Sequence, residues 1–152
     1  VEEFFMSERQ RMGLLFVSHG ACCEGMLDTV EMLAGEQVDI DALALNLGAD
    51  PDVYQKQIEV WLDHYGDNAV ILIDIMGGTP FNTVMRIAQK RPIHAVTGLS
   101  VAMAIEAAVN RAFMSPAELC CHLVQCVPDS IKNVEELFAQ LGNDGDDDEE
   151  DE

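Results

Sequence analysis

Gly13-Leu14-Leu15-Phe16-Val17-Ser18-His19-Gly20 is the stretch on which the fold turns. Its first five residues are apolar without interruption, as a strand covered on both faces must be, because alternation survives only where one face meets water. The run stops at Ser18, so strand one delivers His19 to its carboxyl end. Downstream, Cys23, Met26, Val30 and Leu33 recur at spacings of 3, 4 and 3, which predicts an amphipathic helix over 21–34 stopped by Gly35. Val38 to Leu45 begins with apolar and charged residues alternating and reads as a strand nearer a sheet edge. Asp50-Pro51 supplies a cap and a first-turn proline for a helix to about His64, with Tyr54, Ile58, Trp61, Leu62 and Tyr65 on its apolar face. Ala69 to Ile73 is a second buried strand ending at Asp74, and Gly77-Gly78-Thr79-Pro80 opens a third helix that runs to Lys90, with Thr79 as its cap. Ile93 to Thr97 is a short fourth strand. Ser100, the capping box Ser115-Pro116-Ala117-Glu118, and Asp129 then start three helices, the last carrying Ile131, Val134, Phe138 and Leu141.

Strands alternating with helices predict an α/β, doubly wound, mainly parallel sheet in a single domain. Such sheets bind ligands beyond the carboxyl ends of their strands, at the point where strand order reverses. With the order 2-1-3-4, taken from the architecture, that crevice opens between strands one and three, where His19 and Asp74 end their strands.

The charge excludes whole classes of partner. The chain carries 8 basic and 28 acidic residues, a net −20, and the eight carboxylates after Gly142 leave −12 for the rest. Both parts repel nucleic acid and anionic lipid. No apolar run approaches the roughly 20 residues of a membrane span, and the charges within Val1 to Arg11 break any secretory signal, so a cytoplasmic protein is expected. We divide the chain into an N-terminal extension (1–11), the α/β domain (12–142) and an acidic tail or linker stub (143–152), the last expected to be disordered. Five cysteines, with Cys22-Cys23 and Cys120-Cys121 adjacent, lack the spacing of a disulfide framework and read as reduced core residues.

A histidine before Gly20 at a strand end can present one ring nitrogen to the crevice. To attack, that nitrogen must be unprotonated, which a carboxylate on the other nitrogen ensures; Asp74 is the candidate. Gly77 and Gly78 can turn backbone N–H groups toward an anion at the positive end of the third helix, and Thr79 adds a hydroxyl. These parts suit a phosphoryl group carried on His19, a chemistry that needs positioning and charge stabilisation and no metal or organic cofactor.

The two motifs also resemble a known family. Ser18-His19-Gly20-Ala21-Cys22-Cys23-Glu24-Gly25-Met26-Leu27 followed by Val30-Glu31-Met32-Leu33-Ala34-Gly35, and then Asp74-Ile75-Met76-Gly77-Gly78-Thr79-Pro80-Phe81-Asn82, are similar to the mannose-family IIA components of the bacterial phosphoenolpyruvate-dependent sugar phosphotransferase system. The resemblance spans about residues 12–142. It implies that His19 is phosphorylated by the phosphocarrier HPr and discharged to a histidine of a IIB protein or domain, with Asp74 orienting it. It also implies a homodimer in which a C-terminal strand is exchanged. Met76 and Met26 are candidates for an apolar partner-docking surface. The sequence departs from the family at Cys22-Cys23, where small residues are usual, and in its acidic tail.

Three rival readings bear on the same residues. The phosphotransfer subunit of dihydroxyacetone kinase shares the strand-then-histidine start but lacks the Gly-Gly-Thr-Pro-Phe-Asn run. Related domains in transcription activators use the same acceptor for regulation. Histidine phosphatases need an arginine beside the nucleophile, where this chain has Ser18. A metal site from His19, Cys22 and Cys23 with Cys120, Cys121 and His122 is disfavoured, because adjacent cysteines on a helix point to different faces.

Overall fold

The computed structural model describes residues 11–146. Its elements follow in the order β1 (Gly13–His19), α1 (Cys22–Ala34), β2 (Ile40–Leu45), α2 (Pro51–Tyr65), β3 (Ala69–Ile73), α3 (Gly78–Ala88), β4 (Ala95–Thr97), α4 (Val101–Asn110), α5 (Pro116–Cys126), a 3-10 turn (Val127–Ser130) and α6 (Val134–Asp146). The four strands are parallel in the order β2-β1-β3-β4. The alternating charges of β2 thus belong to an edge strand, and the unbroken apolar runs of β1 and β3 occupy the centre.

Each central strand feeds two cores. Leu14 and Phe16 of β1 with Val70 and Leu72 of β3 face a cluster closed by Cys23, Val30, Ala104, Ala107, Leu119 and Leu123 from α1, α4 and α5. Leu15, Val17, Ile71 and Ile73 face the other way, against Tyr54, Ile58, Leu62, Val84 and Ile87 of α2 and α3. Strand residues alternate sides, so a run of apolar residues is required where both sides are covered. Each fully buried aliphatic or aromatic side chain contributes about 1.5 to 3 kcal/mol.

The amino end of the sheet is tied by Arg111, a buried guanidinium just past α4. Its Nη1 donates to the Met12 carbonyl (3.0 Å) and Asp39 carbonyl (3.3 Å), and its Nη2 to the Val38 carbonyl (2.6 Å) and Gln37 Oε1 (3.4 Å). These acceptors immediately precede β1 and β2. Burial moves this guanidinium below its ordinary value, with Arg11 contributing in the same direction.

Most element ends fall where the caps predicted. The Asp50 side chain accepts from the Asp52 N–H, the Ser100 side chain from the Met103 N–H, and Ser115 with Glu118 forms the complete capping box. Several expected bounds need correction, the second strand first: it starts at Ile40 and not at Val38, because Asp39 turns with φ +63. The fourth strand is only Ala95–Thr97, although the His94 carbonyl already accepts from the Ile71 N–H at 2.9 Å. Helix α3 ends at Ala88, and the N–H groups of Lys90 and Arg91 close its last turn on the Ile87 carbonyl. Asp129 caps nothing: it lies in the 3-10 turn, and Asn133 Oδ1 accepts from the Glu135 N–H at 3.0 Å at the start of α6. Finally, α6 continues to Asp146, into the segment expected as a disordered tail, while 147–152 and residues 1–10 of the expected extension lie outside the described residues.

Among the described residues there is no fifth strand: beyond Ser115 the chain is α5, the 3-10 turn and α6. Asn133 capping, Glu135 and Glu136 in the first turn, and apolar Leu137, Phe138 and Leu141 at helical spacing account for α6. No helix among the described residues is long and apolar enough to cross a membrane.

Candidate functional site

The site forms where β1 and β3 release the chain side by side. Val17 and Ile73 are register partners, and the Asp74 N–H donates to the Val17 carbonyl at 3.0 Å, extending the ladder by one bond. Asp74 and His19 therefore leave the sheet as neighbours. The next bond along β2 runs from the Gly20 N–H to the Leu45 carbonyl (2.8 Å). Gly20 turns there with φ +58, a left-handed conformation that costs a glycine little.

Ser18, fully buried, locks this turn from beneath. Its hydroxyl donates to the Gly20 carbonyl at 2.9 Å and accepts from the Cys23 N–H at 2.8 Å, joining the end of β1 to the first turn of α1. Sequence reasoning placed Ser18 at the end of the apolar run, at the head of the histidine motif and where a histidine phosphatase needs arginine, and gave its hydroxyl no role. Its signal was a serine directly after a fully apolar run, a polar group whose burial requires partners.

Asp74 grips His19 at two points with one oxygen. Oδ2 accepts from the His19 backbone N–H (2.9 Å) and lies 2.8 Å from ring Nδ1, while Oδ1 accepts from the Ile75 N–H (2.9 Å). Burial on its own would raise the Asp74 carboxyl, but the His19 backbone N–H, the ring, the Ile75 N–H and the histidine charge together hold it below its ordinary value. An ionised carboxylate only accepts, so Nδ1 carries a ring proton, and in the neutral ring Nε2 is left with its lone pair.

Nε2 lies against the start of α3. A Cβ placed on Gly78 would fall 2.9 Å from Nε2 and 2.8 Å from Cε1, so only a glycine lets this backbone approach the ring. Gly77 and Gly78 both have positive φ, +90 and +82. No side chain caps α3, which leaves its first N–H groups and the positive end of its dipole directed at the histidine side of the crevice. Thr79 is not the cap that was expected. It lies inside the first turn, where its carbonyl accepts from the Thr83 hydroxyl at 2.7 Å.

An open cleft of about 330 Å³ adjoins the ring, lined by His19, Gly20, Leu45, Asn46, Leu47, Gly48, Ala49, Pro51 and Thr79. A larger hollow of about 590 Å³ lies between β2 and α2 against Val53, Val60 and Trp61, and has neither the histidine nor the glycine turn. The His19 side chain is 50% exposed and that of Asp74 17%. Leu47, Ile75 and Met76 stand fully or largely in solvent around the crevice. Met76 is thus free to meet a partner, whereas Met26 is partly buried against the core. Leu47 and Ile75 were not anticipated, because an isolated apolar residue in a loop carries no periodicity.

The residues weighed for a metal do not assemble. Cys22 is exposed while Cys23 is buried, its thiol pushed up by burial, and burial lifts Cys120 to about 11. His122 instead meets Glu106 and Cys126, the only group of three or more His, Cys, Asp or Glu ligand atoms close enough for one ion among the described residues.

Comparison with known proteins agrees with this fold. The family model described as "PTS system fructose IIA component" matches residues 13–124. The sorbose-specific EIIA component of Klebsiella pneumoniae is 32% identical over 111 residues, 72% of this chain and 82% of that protein. The mannose-specific EIIAB component of Escherichia coli K12 is 26% identical over 103 residues, 66% of this chain, which spans only 32% of that longer protein. Among solved structures, a mannose/sorbose specific IIA subunit from Enterococcus faecalis superposes with a TM-score of 0.74 at 29% identity, covering 82% of this chain and 95% of that one. With its sheet order, its histidine at the end of β1 and a family match across most of its length, this chain belongs to the mannose-type IIA family of the sugar phosphotransferase system.

Proposed function

We propose that the chain is a phosphoryl carrier in which His19 Nε2 accepts a phosphoryl group from phospho-HPr and gives it to a histidine of a IIB protein or domain. The observation that carries this reading is the double hold of Asp74 Oδ2 on His19, which fixes the proton on Nδ1 and points Nε2 at the uncapped start of α3. The Nε2 lone pair attacks phosphorus as the bond from phosphorus to the donor imidazole breaks, and the donor nitrogen keeps that electron pair. Positive charge spreading over the His19 ring is met by Asp74 through Nδ1–H. The phosphoryl oxygens receive the N–H groups of Gly77, Gly78 and Thr79, with the helix dipole behind them. Transfer between histidines needs no cofactor, because both bonds are of one kind and catalysis is positioning.

The exposure of His19 and the rim of Leu47, Ile75 and Met76 suit a site that must be entered by another protein's side chain. The proposed cellular place is the cytoplasm, and the proposed assembly is a homodimer. Its support is the open edge of β4 with an adjoining groove of about 540 Å³ that includes Met76, Phe81, Val96 and Leu123.

The test is intact-mass analysis after incubation with phosphoenolpyruvate, Enzyme I and HPr. One acid-labile phosphoryl group that depends on HPr and is lost in His19→Ala is expected. An unmodified chain beside charged HPr, or unchanged labelling of His19→Ala, refutes the assignment.

A further inference from the structure

On the helical face remote from this crevice in sequence, α4 and α5 bring three different ligand types to one point. His122 Nε2 lies 3.0 Å from Glu106 Oε2 and 3.5 Å from Cys126 Sγ, and all three atoms lie within 4.8 Å of one another. His122 and Cys126 are four residues apart, hence one turn apart on a single face of α5, and Glu106 enters from α4. Asn110 Nδ2 donates to Glu106 Oε2 at 2.9 Å and to the Glu106 carbonyl at 2.8 Å, steering the carboxylate.

We propose that Glu106, His122 and Cys126 form a divalent-metal site, suited to zinc, that staples α4 to α5. One alternative fails on geometry. A cysteine–histidine–carboxylate relay uses both ring nitrogens, one toward the thiol and one toward the carboxylate. Here thiol and carboxylate converge on the same nitrogen. A hydrogen-bonded cluster is the competing arrangement: Nε2–H donates to Oε2, and Sγ at 3.5 Å then finds no free lone pair on that nitrogen. A cation at the centre satisfies all three lone-pair donors together.

The spacing also fits. Tetrahedral bonds of about 2.0 to 2.3 Å separate ligand atoms by about 3.3 to 3.6 Å, so the 3.5 Å edge already matches, the 3.0 Å edge needs to open by a few tenths of an ångström, and the Oε2–Sγ edge, within 4.8 Å, has to close on the ion. Sulfur, imidazole nitrogen and carboxylate oxygen together suit a borderline cation such as Zn²⁺ better than Mg²⁺ or Ca²⁺, which take oxygen. On binding, the Cys126 thiol proton leaves to solvent, the His122 proton resides on Nδ1, and Sγ, Nε2 and Oε2 each form one bond to the ion. His122 and Glu106 are 30% and 44% exposed, so a water molecule can reach the fourth position.

The test uses the full chain, reduced and stripped with chelator, then titrated with Co²⁺ and Zn²⁺. We expect one ion per chain, a thiolate-to-cobalt charge-transfer band, displacement of cobalt by zinc, and a zinc-dependent rise in melting temperature. Cys126→Ser removes the band. His122→Asn and Glu106→Gln each weaken binding more than about 100-fold, beyond the 10- to 100-fold typical of losing an outer partner, the range expected for Asn110→Ala. Cys22→Ser and Cys121→Ser leave the band unchanged, and circular dichroism checks that each variant is folded. Should any one substitution unfold the chain, the other two ligand variants decide. No stoichiometric ion, a band that survives Cys126→Ser, or a band lost with Cys22 or Cys121 overturns the proposal.

Discussion

Asp74 Oδ2 accepts both the backbone N–H and the ring Nδ1–H of His19, at 2.9 and 2.8 Å, so one carboxylate oxygen sets where the histidine sits and which nitrogen holds its proton. Asparagine cannot reproduce this. Oδ1 is also an acceptor, for the Ile75 N–H, and an amide has only one oxygen. Whichever way the substituted amide turns, its NH₂ faces a donor or forces the proton to Nε2. Asp74→Asn should slow phosphorylation by about 10²- to 10⁴-fold, the upper figure being that of a hydrolase triad given the wrong tautomer. Rapid-quench labelling with phospho-HPr measures it, and a wild-type rate would make Asp74 purely structural.

Gly78→Ala tests how closely the start of α3 approaches the ring. The new Cβ would lie under 3 Å from both Nε2 and Cε1, at a φ of +82 that costs a non-glycine residue about 1 to 2 kcal/mol. Labelling should fall at least about tenfold, the rate equivalent of 1.4 kcal/mol, with circular dichroism unchanged. Gly77→Ala meets no atom within 4 Å and should suffer the backbone strain alone.

The pH dependence of stability follows from the direction of the Asp74 shift. Its folded carboxyl lies below the ordinary aspartate value of about 3.9. Its stabilising contribution is therefore complete above that value and is lost as pH falls through the lower, folded one. The melting-temperature gap between wild type and Asp74→Asn should close in acid below about pH 4. A gap that stays constant as pH falls from 6 to 3 would contradict the assignment.

Ser18→Ala removes the hydroxyl that serves the Gly20 carbonyl and the Cys23 N–H. The expected loss is about 1 to 3 kcal/mol in urea unfolding, as for a buried donor or acceptor left unsatisfied. Phosphorylation should fall as well, because the same hydroxyl fixes the turn that carries His19. Lost stability with full labelling would separate the two roles.

Arg111→Met should destabilise by about 2 to 5 kcal/mol, leaving the Met12 and Val38 carbonyls at the amino end of the sheet short of a donor while the Asp39 carbonyl keeps the Leu14 N–H. Labelling of the folded fraction should be unchanged. Coincident loss of both would tie this anchor to the chemistry.

The central strands and the site pair were readable because each rests on a strong local signal. Leu14 to Val17 and Ala69 to Ile73 admit no amphipathic alternative, and a histidine and an aspartate follow them directly. Capping chemistry was legible for the same reason at Asp50, Ser100 and Ser115. The start of α6 was misplaced because Asp129 and Asn133 are both able caps, and Pro128 favours a tight turn that consumes the first. Arg111 and the meeting of Glu106 with His122 and Cys126 were invisible, since each joins segments distant in the chain and no spacing rule records which helix faces another.

Arg111 binds carbonyls that precede β1 and β2, whereas His19 and Asp74 lie past the other ends of the sheet, and β1 alone spans about 20 Å between them. Changes that far apart combine almost additively. Lineages could therefore accumulate or shed thermal robustness at the amino end without retuning the histidine, and an engineer could strengthen that end first and use the margin to tolerate riskier changes around Leu47 and Met76.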